Sequence, residues 1–79
     1  MKSYWNYRIL AQEYPEIGVT FFVAEVYYKN NVPTGYVETC DEIEKHLPDI
    51  ETTLRNKLTA CRKDVLWGGD KFPQVYKKK

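Results

Sequence analysis

The sequence predicts an α+β fold: a three-stranded antiparallel β-meander, then one amphipathic α-helix, then a packed C-terminal tail. Three observations carry that prediction. Residues 4–14 alternate with a period of two, with Trp5, Tyr7, Ile9 and Ala11 on one parity and Asn6, Arg8 and Gln12 on the other, as a half-buried strand does. Residues 19–29, VTFFVAEVYYK, form a short apolar run with turn residues on both sides. Leu47, Ile50, Leu54, Leu58 and Cys61 then recur at helical spacing, with Glu51, Arg55, Asn56, Lys57 and Arg62 around them.

Between the first two strands Pro15-Glu16-Ile17-Gly18 supplies a turn, with proline and glycine as its punctuation. The second strand is apolar on both parities: Phe21, Val23 and Tyr27 on one, Phe22, Ala24, Val26 and Tyr28 on the other. A strand covered on both faces reads this way, and so does one with a bulge, so its core face stays open. Either case places it centrally. Asn30-Asn31 makes a hairpin turn, because asparagine tolerates positive φ. Residues 33–39 form the third strand, demoted to an edge by Pro33 and Gly35. Short connections give the meander order 1-2-3.

The helix boundary is less simple. Thr39-Cys40-Asp41-Glu42 resembles a capping box, yet Pro48 would break a helix begun there. Proline suits a first helical turn, so the main helix is expected over 47–63, with its apolar stripe packed on the sheet. The tail from Asp64 to Tyr76 carries Trp67, Phe72 and Tyr76 around Gly68-Gly69. A disordered segment rarely holds such rings, so the tail is expected to pack back and cover the second sheet face. The expected layout is one domain over 1–76, with a frayed basic end at 77–79.

The chain has 79 residues, enough for one domain of marginal stability. Seven Tyr, three Phe and two Trp are many for that length. They either enlarge a small core or serve as surface anchors, where Tyr and Trp are enriched. Net charge is +1, which gives no global electrostatic footprint for nucleic acid. The first residues lack the apolar run expected of a signal peptide, and no segment approaches membrane-spanning length. Two cysteines, Cys40 and Cys61, are not a disulfide framework, and Cys61 on the apolar helix face is expected to act as a small hydrophobe. A reduced, cytoplasmic protein without membrane contact is the expectation.

Nothing in the chain looks like an active site, a cofactor site or a metal site. His46 is the only histidine and there is no CxxC, so zinc lacks ligands. Cys40 with His46 is the one conceivable nucleophile pair, and nothing nearby orients the base. Gly68-Gly69 follows the helix rather than opening one, so it is a turn and not a phosphate loop. Glu25, inside an apolar strand, is the carboxylate to follow, with a structural partner the commoner outcome.

Trp5-Asn6-Tyr7-Arg8-Ile9, Glu25-Val26-Tyr27-Tyr28 and Val65-Leu66-Trp67-Gly68-Gly69-Asp70-Lys71-Phe72-Pro73 resemble blocks of a family of short bacterial and phage proteins. Pro48 and Asp64 depart from its pattern. The resemblance implies a prokaryotic or mobile-element origin and no catalytic residues. Small proteins of such genomes often bind and block a larger partner, as inhibitors of defence systems such as CRISPR do. The leading expectation is therefore a non-catalytic protein-binding module for a larger protein partner. Its binding surfaces would be the hairpin side around Glu25, Tyr27, Tyr28, Tyr36 and Glu38, and an unpaired sheet edge open to a second copy. Single-stranded nucleic-acid binding by Tyr4, Arg8, Tyr14, Tyr27, Lys29 and Tyr36 ranks second, opposed by eleven acidic residues.

Overall fold

The computed structural model describes residues 2–39 and 47–77. Three long strands, β1 (Ser3–Tyr14), β2 (Gly18–Lys29) and β3 (Val32–Glu38), form the expected antiparallel meander. The helix α1 (Leu47–Ala60) follows, and then a short strand β4 (Leu66–Trp67) that the sequence reading did not anticipate. β4 joins the other side of β1 in parallel, so the sheet has four strands in the order β3-β2-β1-β4. The predicted three-stranded sheet is thus corrected to a four-stranded mixed one. Two parallel residues produce no periodicity that a sequence could display.

The turn chemistry explains the register. Asn30 and Asn31 take φ of 53° and 68°, the two positive values of a type I′ hairpin, which matches the twist of the flanking strands. Gly18, at φ 83°, closes the first hairpin in a region that side chains resist. β1 and β2 then pair without interruption from Ser3↔Lys29 to Tyr14↔Gly18. β2 and β3 pair with a bulge between Tyr27 and Tyr28.

Residues opposite one another share a face, so the even-numbered residues of β1 and β2 line one side and the odd-numbered residues the other. The core lies on the even side. Leu10, Ala24, Val26, Tyr28 and Leu66 are buried there, with Phe22, Tyr36 and Phe72 packed against them. No polar or charged residue among those described is buried. The β2 parity that the sequence left open is thereby decided: Phe22, Ala24, Val26 and Tyr28 face inward.

The tail packs as expected and does so on both faces. Phe72 reaches the Tyr36 ring on the even side, with centroids 4.9 Å apart, while Tyr76 meets Phe21 and Trp67 on the odd side at 5.4 and 5.2 Å. Residues 74–76 fold back along β4: the Trp67 amide donates to the Gln74 carbonyl and the Tyr76 amide to the Val65 carbonyl, both at 2.7 Å. Gly68 lies so close to the sheet that a Cβ would sit 3.1 Å from both Gln12 Oε1 and the Tyr36 hydroxyl. Gly69, at φ 67°, donates its amide to that hydroxyl at 2.7 Å. Arg8 ties this region to the strands, donating through Nη1 to the Tyr28 hydroxyl at 2.9 Å and through Nη2 to the Asp64 carbonyl at 2.6 Å.

The helix departs from expectation in its rotation. It begins at Leu47 with Pro48 in its first turn, and after Ala60 three i→i−3 bonds carry a tightened turn to Lys63. It meets β1 and scarcely touches the other strands. Its inward residues are Ile50, Thr53, Lys57 and Ala60, of which Ala60 is fully buried. Of the predicted stripe only Ile50 faces inward: Leu47, Leu54 and Leu58 stand 80, 50 and 61% exposed, and Cys61 is a free, exposed thiol. At 100° per residue the two stripes lie roughly a quarter turn apart. Small Ala60 permits close approach, and Lys57 can lay its alkyl stem inward while its ammonium stays near water. Hydrophobicity alone favours the leucines.

The result is a thin plate of 39 × 36 × 19 Å. Its radius of gyration of 13.5 Å exceeds the ~11.6 Å of a compact domain of this length.

Candidate functional site

The odd side of the sheet is covered in part, by Tyr76 over Phe21 and Trp67 and by Lys57 of α1 over Tyr7, with Ala11 fully buried, and it leaves a row of side chains exposed along the rest. Across the three long strands the register sets Tyr27 opposite Trp5, Glu25 between Val37 and Tyr7, Val23 opposite Ile9 and Phe21 opposite Ala11. Trp67 lies beyond Ala11 on β4. Trp5 and Phe21 remain 49 and 54% exposed, and Val37 and Tyr27 are exposed with them. Tyr7, Ile9, Val23 and Glu25 are half-buried among them.

The geometry of this face is set by ring contacts and one carboxylate. Trp5 and Tyr7 meet edge to face, with centroids 5.2 Å apart at 87°, which holds both rings in fixed orientation. Lys57 from α1 places its ammonium 5.2 Å from the centre of the Tyr7 ring, a cation–π contact that joins helix to sheet. The Tyr27 hydroxyl donates to Glu25 Oε1 at 2.8 Å. A carboxylate has two oxygens and about four acceptor sites, so Glu25 retains capacity for a further donor.

That hydrogen bond raises the Tyr27 pKa above the ordinary 10.0, with desolvation and the nearby Glu25 charge adding in the same direction. A phenol whose folded-state pKa is raised contributes stability below its unfolded pKa and loses it as pH climbs through the folded value. The window therefore lies above pH 10.0. Following tyrosine ring carbons by NMR as pH rises should find Tyr27 titrating above a free tyrosine. Glu25→Ala should bring it back, and an unmoved midpoint would show that the bond does not persist in solution.

The residues expected to form one binding surface are divided by the sheet. Glu25 and Tyr27 lie on the odd side. Tyr28 and Tyr36 lie on the even side within the core, and Glu38, opposite Ala24, is exposed at the β3 end of that side. The rings expected for stacking bases are divided too. Tyr4 stacks on Tyr28 with centroids 4.7 Å apart, Arg8 is engaged by Tyr28 and Asp64, and Tyr27 and Lys29 face the other way.

Trp5, Tyr7 and Phe21 complete the open face and were not among the expected contact residues. Their shared parity with Glu25 and Tyr27 follows from the hairpin register, a signal that strand pairing exposes and single-strand reading does not. The conceivable Cys40–His46 pair lies outside the described residues, as does the capping-box segment at 39–42 apart from Thr39. Among the described residues no group of three or more His, Cys, Asp or Glu is placed to hold a metal ion, and no helix is long and apolar enough to cross a membrane. No protein-family model matches the chain, and neither a curated protein nor a solved structure matches it.

Proposed function

We propose that the chain is a non-catalytic protein-binding module whose odd sheet face holds a protein partner presenting a lysine or arginine within an apolar surround. The observation that carries this reading is the pair of exposed rings Trp5 and Tyr27 beside a half-buried Glu25, with exposed Phe21 further along the same face of β2. Interface centres are enriched in such rings and depleted in charge, and contiguous exposed apolar surface marks interaction sites. One carboxylate inside that surface supplies charge complementarity to a basic side chain and penalises an acidic one. The same carboxylate opposes a phosphate backbone, and a net charge of +1 adds little attraction for one. The family resemblance at the three sequence blocks is in keeping with a small protein that acts by occupying a larger one, such as an inhibitor carried by a phage or mobile element.

The test is affinity capture by the tagged protein from nuclease-treated bacterial lysate at low and at ~0.5 M salt, beside the charge reversal Glu25→Lys. A stoichiometric protein partner should be retained at high salt by the wild type and lost by the variant. Capture that requires intact nucleic acid and disappears at high salt would overturn the proposal in favour of single-strand binding.

A further inference from the structure

We propose that a slot over Gly35, walled by Tyr27 and Val37 and closed at one end by the Glu25 carboxylate, takes an arginine side chain of the protein partner. The inference rests on the binding-module reading and names the residue that reading leaves open.

The slot follows from the register and from one missing side chain. Gly35 of β3 stands opposite Tyr27 of β2, and Val37 stands opposite Glu25, so the four positions share the odd face as the corners of a rectangle. Three corners carry side chains and the fourth carries none. A ring opposite a glycine on an edge strand commonly folds over it. Tyr27 does not, because its hydroxyl donates to Glu25 Oε1 at 2.8 Å and draws the ring along its own strand. A Cβ built on Gly35 accordingly meets nothing within 4 Å. Gly35 is not among the glycines with positive φ, so its backbone does not require glycine. What the residue supplies is the gap. Positions two apart on a strand are ~6.6 Å apart, which gives the gap room for one side-chain stem. β3 is the edge strand of the sheet, so the slot is open on its outer side as well.

The chemistry of the walls selects the occupant. Glu25 is half-buried, and its partner among the described residues is the Tyr27 hydroxyl, whereas the ion pair of the described residues, Glu51 with Arg55, lies on α1. A carboxylate has about four acceptor sites, so about three remain for an incoming cation. The apolar walls decide which cation. An ammonium is strongly hydrated and points donors in directions that Val37 and a phenol ring cannot satisfy. A guanidinium is more weakly hydrated, lies flat on an aromatic face and presents a planar fork to a carboxylate. With its stem over Gly35, an arginine stacks on Tyr27 and donates to Glu25. Tyr7, opposite Glu25 on β1, is no competing platform, because the Lys57 ammonium already lies 5.2 Å from its centre.

The test is an amide NMR titration of the full chain with three capped tripeptides, acetyl-Leu-Arg-Leu-amide and its lysine and glutamine counterparts, beside the variant Gly35→Val. The arginine peptide should shift the amides of Glu25, Tyr27 and Gly35 and bind at least about tenfold tighter than the lysine peptide, with the glutamine peptide weaker still. Gly35→Val fills the slot and should weaken the arginine peptide at least about tenfold. Valine suits a strand and meets nothing at this position, so thermal circular dichroism should find the variant at least as stable as the wild type. That result separates a blocked slot from a lost fold. Equal affinity for the arginine and lysine peptides, undiminished binding by Gly35→Val, or no shift at these amides up to ~10 mM peptide would each overturn the proposal. The binding-module reading is judged apart from these, by capture from lysate and its loss in Glu25→Lys, so the slot can fall while that reading stands.

Discussion

Replacing Leu10 with alanine should cost about 3 kcal/mol of folding free energy, because its side chain is completely buried. Leu10 is fully buried, sits opposite Phe22 on β2 and Leu66 on β4, and is one of the two largest completely buried side chains. The cost combines lost apolar transfer with the cavity left behind, and a rigid sheet on two sides limits collapse into it. A domain of this length has roughly 4–12 kcal/mol in total, so the variant should lie close to unfolding. Each kcal/mol lowers Tm by about 4–8 °C in a domain this small, which gives a fall of roughly 12–24 °C by thermal circular dichroism. Ile17→Ala, in an exposed turn, should shift stability by less than about 0.5 kcal/mol. A loss below ~1 kcal/mol at Leu10 would mean that the even-side cluster is not the core that holds the fold.

The second large effect is expected in binding. Trp5→Ala should weaken capture of the protein partner by roughly 30- to 1,000-fold, the range of a tryptophan anchor worth about 2–4 kcal/mol. Trp5 is half exposed and its ring is fixed edge to face by Tyr7, so the free protein holds it ready without a further ordering cost. The matching control is Tyr14→Ala, which removes an exposed ring from the even parity near the first hairpin and should leave affinity within about twofold. Stability of the Trp5 variant should change little beside Leu10→Ala, because half of the ring already faces solvent. Equal loss in the two ring variants would place the partner somewhere other than the odd face.

The elements differed in how far the sequence disclosed them. β1 was legible as a strand because one of its parities is polar. Its faces were not, since the core takes Leu10 from the parity of Asn6, Arg8 and Gln12 while Trp5 on the apolar parity stays half exposed. Asn30-Asn31 was legible because few residues accept two successive positive φ values. β2 was ambiguous for a physical reason: its odd parity is apolar without being core, since Phe21 and Tyr27 face outward. Hydrophobic content marks what can be buried, and an interaction surface satisfies the same criterion as a core. The helix shows the same confusion from the other direction. Its leucines look like the packed face, while Ala60 and the stem of Lys57 occupy it, and no scale of apolarity ranks lysine above leucine. Of the expected contact residues, Glu25 and Tyr27 share the open face, whereas neighbouring Tyr28 points into the core. Adjacent tyrosines on a strand always separate in this way, and only the choice of core parity tells which is which.

The clasp formed by residues 64–76 has a consequence for the order of events during synthesis. Arg8 and Asp64 are 56 positions apart, and Leu66, Phe72 and Tyr76 finish both sides of a sheet whose central hairpin is translated much earlier. Until that segment has left the ribosome, the β1 edge beside Leu10 and Ala11 has no partner strand, and the nascent meander exposes the apolar surface that the clasp later closes. The sheet is completed only once residues 64–76 have been made, and a nascent meander stalled before residue 64 is a natural client for chaperones.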